Sequence, residues 1–206
     1  DSSTDTGVNS DNNTADSTPT FTGTCVTGDV ITLYLDGADS GEFTTCSGGT
    51  YSITYGSITL LSLSDGSHTL AALATDTAGN QSTVSSNLTV TIDTVNPTLT
   101  NVTSSTTNGS YKAGDIISIQ VVYDEIVNVT GTPRITLETG ATDAVVNYTS
   151  GSGTNTLSFD YTIASPHTTS DLDYVSLAAL AFNGGTIRDV GAHTAPTTLG
   201  TPGRAG

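Results

Sequence analysis

The sequence holds no methionine and no tryptophan, two cysteines, and only four Lys plus Arg among 206 residues. Each scarcity excludes something. Without Met there is no native start, so the expectation is a piece of a longer chain whose export signal and anchor lie outside it. The few bases face 20 Asp plus Glu, giving a net charge of −16 and a pI near 4.1. Such a surface repels nucleic acid and anionic lipid, which removes both as partners. No apolar run approaches the roughly 18 residues of a membrane helix, so no membrane insertion is expected within this stretch. Aromatic residues make up 6% of the chain, too few to line a glycosidase groove around an acid pair such as Asp124–Glu125.

Enzyme motifs are missing too. There is no GxSxG, no HExxH, no P-loop and no GxGxxG behind a strand. His68, His167 and His193 are scattered and read as strand-face or loop residues. No catalytic activity is expected.

Cys25 and Cys46 stand in "GTCVTG" and "TTCSGG", each beside a strand-like segment. A zinc site would need further ligands close by, and no His is near either Cys in sequence. A disulfide is the expectation, with two buried thiols as the alternative. Closing a loop of this length is worth roughly 3 kcal/mol in the chain-entropy picture and points to an oxidising, exported setting.

What the chain has in plenty is Thr, Ser, Gly and Asn, with β-branched residues that alternate. "VITLYL" (30–35), "TYSITY" (50–55), "HTLAALAT" (68–75) and "NLTVTID" (87–93) show a period of two between Gly, Asp and Ser turns. "DIISIQVVY" (115–123), "RITLE" (134–138), "AVVNYT" (144–149) and "TLSFDYTI" (156–163) form a second series. No segment has a helical period. The pattern predicts an all-β chain of two tandem antiparallel sandwiches, residues 1–94 and 95–206. The boundary falls in "TIDTVNPTLTNV", where Pro97 restricts Asn96 to extended geometry. So short a connection makes a stiff joint.

The N-terminal "DSSTDTGVNSDNNTADSTPTFTG", with "DGSHTLAALATDTAGNQS" and "LTVTIDTVNPT", resembles the bacterial immunoglobulin-like repeats of large surface adhesins of the RTX type. The resemblance covers nearly all of residues 1–94. The second half, with "GSYKAGDIISIQVVYDEIVNVTGTPRITLETG", "DLDY" and "NGGTIRDV", resembles another repeat type from the same class of exported proteins. What the resemblance implies is an Ig-like sandwich, calcium at domain joints, and an extracellular place on the bacterial cell surface. The implied role is that of an extender supporting adhesion, with neighbouring repeat domains of the same chain as partners. The alternative is a ligand-binding adhesin module that recognises a glycan or a host protein.

The acids can be set on that frame. With "VITLYLD" taken as the second strand of the first sandwich, Asp36 ends at the N-terminal pole. "TDTAGN" as the last hairpin turn brings Asp76 and Asn80 there, and the N-terminal segment brings Asp1, Asp5 and Asp11. In the second domain "DIISIQVVYDE" delivers Asp124 and Glu125 to the matching pole, and "RDVGAH" delivers Asp189. Asp93, at the end of the first domain, faces them. Oxygen-rich acids in such numbers suit calcium, which takes six to eight oxygen ligands. The competing expectation is an Asx-turn, in which Asp76 or Asp189 bonds its own turn. His193 replaces Asn80 in the second copy, and imidazole is a poor calcium ligand. Asp171 and Asp173 in "DLDY" read as outward acids on a strand edge, and Lys112 reads as an exposed lysine rather than half of an isopeptide bond.

Overall fold

The structure is a computed structural model and describes residues 11–203. It divides into two compact units, Asp1–Val95 and Asn96–Gly206. Among the described residues every regular element is a strand.

The first unit contains β1 (Asn13–Thr14), β2 (Thr20–Thr24), β3 (Val30–Leu35), β4 (Ala38–Thr45), β5 (Thr50–Thr54), β6 (Gly66–Thr75) and β7 (Leu88–Ile92). One sheet has the order β1-β7-β6-β3-β4, and β2 pairs with β5 to make the other. The period of two does what it must: Ile31 and Leu33 point inward from β3 while their neighbours stay outward. Phe21 from β2 and Ile53 from β5 meet them, with Leu70, Val90 and Ile92, so the core lies between the sheets. Gly23 pairs with Tyr51 across β2 and β5. The Tyr51 ring lies over that glycine, and a Cβ there would come 2.4 Å from the ring. The disulfide forms between Cys25, just past β2, and Cys46, just past β4, and ties the two sheets together.

Three strands of this unit were not evident in the alternation, and the first of them, β1, is only two residues long. β2 carries one apolar side chain between threonines, and β4 inverts the usual rule. Phe43 points to solvent while Glu42 is fully buried. The buried carboxylate accepts from the Ser57 and Thr59 hydroxyls at 2.9 and 2.7 Å and from the Ile58 and Thr59 N–H groups at 3.0 and 2.9 Å. Burial pushes the Glu42 carboxyl up, but these donors outweigh it and hold it below its ordinary value.

The second unit contains β8 (Leu99–Ser104), β9 (Ile116–Thr130), β10 (Arg134–Glu138), β11 (Ala144–Asn147), β12 (Thr154–Thr162), β13 (Asp173–Tyr174), β14 (Leu180–Ala181) and β15 (Thr186–Arg188). β9 is the spine of one sheet, flanked by β12 on one side and by β8 and β15 on the other. β10 is the spine of the facing sheet, with β11, β13 and β14. Val121, Tyr123, Val127, Ile135, Leu157, Phe159 and Ile187 fill the space between.

Candidate functional site

The two short turns that carry the expected acids are built alike. Thr75 bridges Gln81, and Arg188 bridges Thr194, at the same offset. Inside the first turn, Asp76 Oδ1 accepts the Asn80 N–H at 2.8 Å while Asp76 Oδ2 accepts the Asn80 side-chain amide at 2.8 Å. Inside the second, Asp189 Oδ1 accepts the His193 N–H at 2.8 Å and Oδ2 lies 2.9 Å from His193 Nδ1. The role of the residue four past the aspartate is therefore to present an N–H to the carboxylate. Asn and a His with Nδ1 protonated both do so, which accounts for their exchange. The Asn80 amide, followed by the Asn80 N–H, holds the Asp76 carboxyl below its ordinary value.

A second arrangement recurs, in which one carboxylate takes both donors of one distant threonine. Asp36 Oδ1 accepts the Thr69 N–H at 2.8 Å and its hydroxyl at 3.2 Å. Asp65 Oδ1 accepts the Thr94 N–H at 2.9 Å and its hydroxyl at 2.8 Å. Asp124 accepts the Thr98 N–H at 2.7 Å on Oδ1 and its hydroxyl at 2.6 Å on Oδ2. The Thr98 hydroxyl and then its N–H lower the Asp124 carboxyl. The Thr69 N–H and then His68 do the same for Asp36.

His68 completes the Asp36 staple. Its Nε2 is 3.0 Å from the Ser64 carbonyl and its Nδ1 is 2.9 Å from Asp36 Oδ2. Both partners are acceptors, so the full set of bonds needs a proton on each ring nitrogen. The Asp36 bond raises the His68 basicity above its ordinary value, against the opposing effect of burial.

The pairing corrects two expected placements. β3 is the third strand of its unit, and it runs antiparallel to β6 with Leu35 opposite Leu70 and Val30 opposite Thr75. Asp36 therefore sits beside Thr69 while Asp76 lies past the other end of β6, about 20 Å away along the strand. They do not share a pole. The missed β2 caused the error, because it shifted every later strand by one place. In the second unit, β9 does not end at Asp124–Glu125 but runs on to Thr130. The acids sit in a bulge, where Val122 pairs with Thr156 but Val127 with Thr154.

Other placements follow from the register. Arg188 pairs with Asn128, which sets the Asp189 backbone at Val127, two residues from Glu125. Asp189, just past the end of β15, thus lies beside the stretch of β9 that carries Asp124 and Glu125. Asp189 is buried, Glu125 half-buried and Asp124 exposed. In the first unit Asp11 is exposed and accepts the Asn13 N–H at 3.0 Å, and Asp93 accepts the Val95 N–H at 3.3 Å. Asp1 and Asp5 lie outside the described residues. Asp173 sits in β13 and accepts the Gly203 N–H, and Lys112 is exposed. Sequence reading missed Asp65, Thr69, Thr94, Thr98, Glu42 and the His68 bonds; apart from the Ser64 carbonyl, four residues from His68, the partners lie 15 to 33 residues away.

Each unit is a two-layer sandwich with its core between the sheets, antiparallel except where β1 runs parallel to β7, and the first defines a protein module of the immunoglobulin-like class. Residues 1–94 match the family model of the bacterial Ig-like domain. Modules of this kind are typically extracellular or surface-exposed and generally non-catalytic. No curated protein matches the chain. No helix among the described residues is long and apolar enough to cross a membrane.

Proposed function

We propose that this chain is a non-catalytic stretch of the extender region of a long exported bacterial surface protein. Its work is mechanical: it holds a distal binding module away from the cell and so supports adhesion. One observation carries the reading. A stretch that matches the bacterial Ig-like domain, residues 1–94, is followed directly by a second all-β unit that begins at Asn96. Neighbouring repeat domains of the same chain are the partners this implies.

Calcium is the cofactor that suits the acids. The donor set is oxygen throughout, and a carboxylate with two internal hydrogen bonds still has lone pairs for an ion. In the second unit Asp124, Glu125 and Asp189 are the residues that would hold it, with Asp93 a separate candidate in the first, and its charge would offset the repulsion among the three. Asp36 and Asp76 are too far apart to serve a second ion together, whereas Asp76 with the Asn80 side chain remains a separate candidate.

A calorimetric calcium titration, paired with small-angle X-ray scattering in calcium and in chelator, tests the reading. Saturable binding with a narrower distribution of particle dimensions in calcium is the expected result. No binding heat and identical scattering would remove calcium from the mechanism. The second reading, a module that binds a host or surface ligand, would then gain. It is favoured by one loop, where Ile58, Leu60 and Leu61 are 48%, 87% and 58% exposed and Leu60 has φ of 59°. A bulky residue held in that conformation is strained, and such strain gathers at binding surfaces.

A further inference from the structure

We propose that the connection between the two units is clamped by two carboxylate–threonine staples, Asp65–Thr94 and Asp124–Thr98, which restrain the joint without a metal ion. The inference rests on the extender reading and assigns part of the stiffness to this chain's own side chains. It also gives Asp124 a role other than calcium ligand, and it adds Asp65, which no reading of the acids by position singled out.

Each staple lies within one unit. Asp65 precedes β6 and takes both donors of Thr94, 29 residues away. Asp124 lies in the β9 bulge and takes both donors of Thr98, 26 residues away, while its own N–H donates to the Thr98 carbonyl at 3.0 Å. Hydrogen bonds to an ionised carboxylate are about twice as strong as neutral ones. Thr94 is thereby fixed to the body of the first unit and Thr98 to the body of the second.

The consequence is read from chain length. β7 ends at Ile92 and β8 begins at Leu99, so residues 93–98 would connect them if strands alone fixed the ends. With the staples only Val95, Asn96 and Pro97 remain between fixed points. Pro97 has φ locked near −65° by its ring, and it keeps Asn96 extended. The Val95 N–H is taken by Asp93 Oδ1 at 3.3 Å. The Cα atoms of Thr94 and Thr98 can be no more than about 14 Å apart. A connection this short, with most of its rotations restricted, transmits bending to the bodies it joins. The composition makes sense in this light: threonine offers an N–H and an O–H together, and an acid facing it becomes a bracket.

The test uses the whole 206-residue chain and residual dipolar couplings, measured in chelator and again in calcium. In chelator the wild type is expected to give one shared alignment tensor for both units. The double variant Asp65→Ala, Asp124→Ala is expected to give two tensors, with the weaker-aligned unit reduced at least twofold, while amide shifts in both cores stay in place. A double variant that keeps one tensor with both cores folded would overturn the proposal. Should the alanines unfold a unit, Thr94→Val with Thr98→Val removes only the hydroxyl donors. Partial loosening there supports the staples, and an unchanged tensor overturns them. If the wild type already gives two tensors in chelator and calcium merges them, the staples fail and the calcium reading stands. If calcium changes nothing while the staple variants loosen the joint, the calcium reading fails and the staples stand.

Discussion

Asp36, Glu42 and His68 show how single residues set the conditions under which the first unit is stable. The carboxyls of Asp36 and Glu42 are held below their ordinary values by donors that exist only in the fold. Their contribution is present above the unfolded carboxylate range near pH 4 and is lost as pH falls through the folded values. His68 is the opposite case, since the Asp36 bond raises its affinity for a proton. Its contribution is complete below about pH 6.5 and is lost as pH rises through the folded value. Stability of the first unit should therefore be greatest between about pH 5 and 6.5 and decline on both sides. Urea unfolding midpoints from acid to mildly alkaline pH would measure this. His68→Asn should remove the alkaline decline and leave the acid one. A wild-type midpoint that stays flat from pH 6 to 9 would show that the imidazolium contributes nothing. Glu42 needs no such test of sign: it is fully buried among four donors, and truncating one side of such an arrangement costs roughly 3 kcal/mol.

At the scale of elements, the two turns share one plan but distribute their glycines differently. Three residues past the aspartate, the first turn has Gly79 at φ 88° and the second has Ala192 at φ 70°. The left-handed region costs a residue with a Cβ roughly 1–2 kcal/mol. A glycine loses about 0.4–1 kcal/mol through the greater freedom of its unfolded chain. The first effect is larger, so Ala192→Gly should stabilise the second unit by up to about 1 kcal/mol. Its thermal midpoint would then rise by a few degrees, and a lower midpoint would refute the argument. These turns were legible in the sequence because each falls within six residues and follows a strand. The same holds for β3 and β10, where "VITLYL" and "RITLE" alternate cleanly and the strands have those bounds. β4 was not legible, because "ADSGEFTT" buries its acid and exposes its phenylalanine. The β9 bulge was misread as a strand end because Asp124 and Glu125 look like termination. The staples were hidden for a plainer reason: nothing local in "SDGS" or "NPTLT" marks partners 29 or 26 residues away.

The whole molecule is acidic, but unevenly so. Residues 1–95 hold eleven Asp plus Glu and no Lys or Arg, while residues 96–206 hold nine acids and all four bases. His68 is thus the only side chain among the described residues of the first unit that carries positive charge near neutral pH. Self-repulsion should weigh most on that unit, and added salt should relieve it. Raising NaCl from about 10 mM to 300 mM shortens the screening length from about 30 Å to under 8 Å. The thermal transition of the first unit should rise more than that of the second. The transitions can be told apart, because reducing Cys25–Cys46 must shift the first and Ala192→Gly the second. Equal shifts would mean that the acids of the first unit are already offset by their internal donors. Calcium chloride at matched ionic strength then separates two effects that a titration alone confuses. A cation that only screens moves both transitions as NaCl does, whereas one held by Asp124, Glu125 and Asp189 stabilises the second unit beyond what NaCl provides, and does so at concentrations where screening is small.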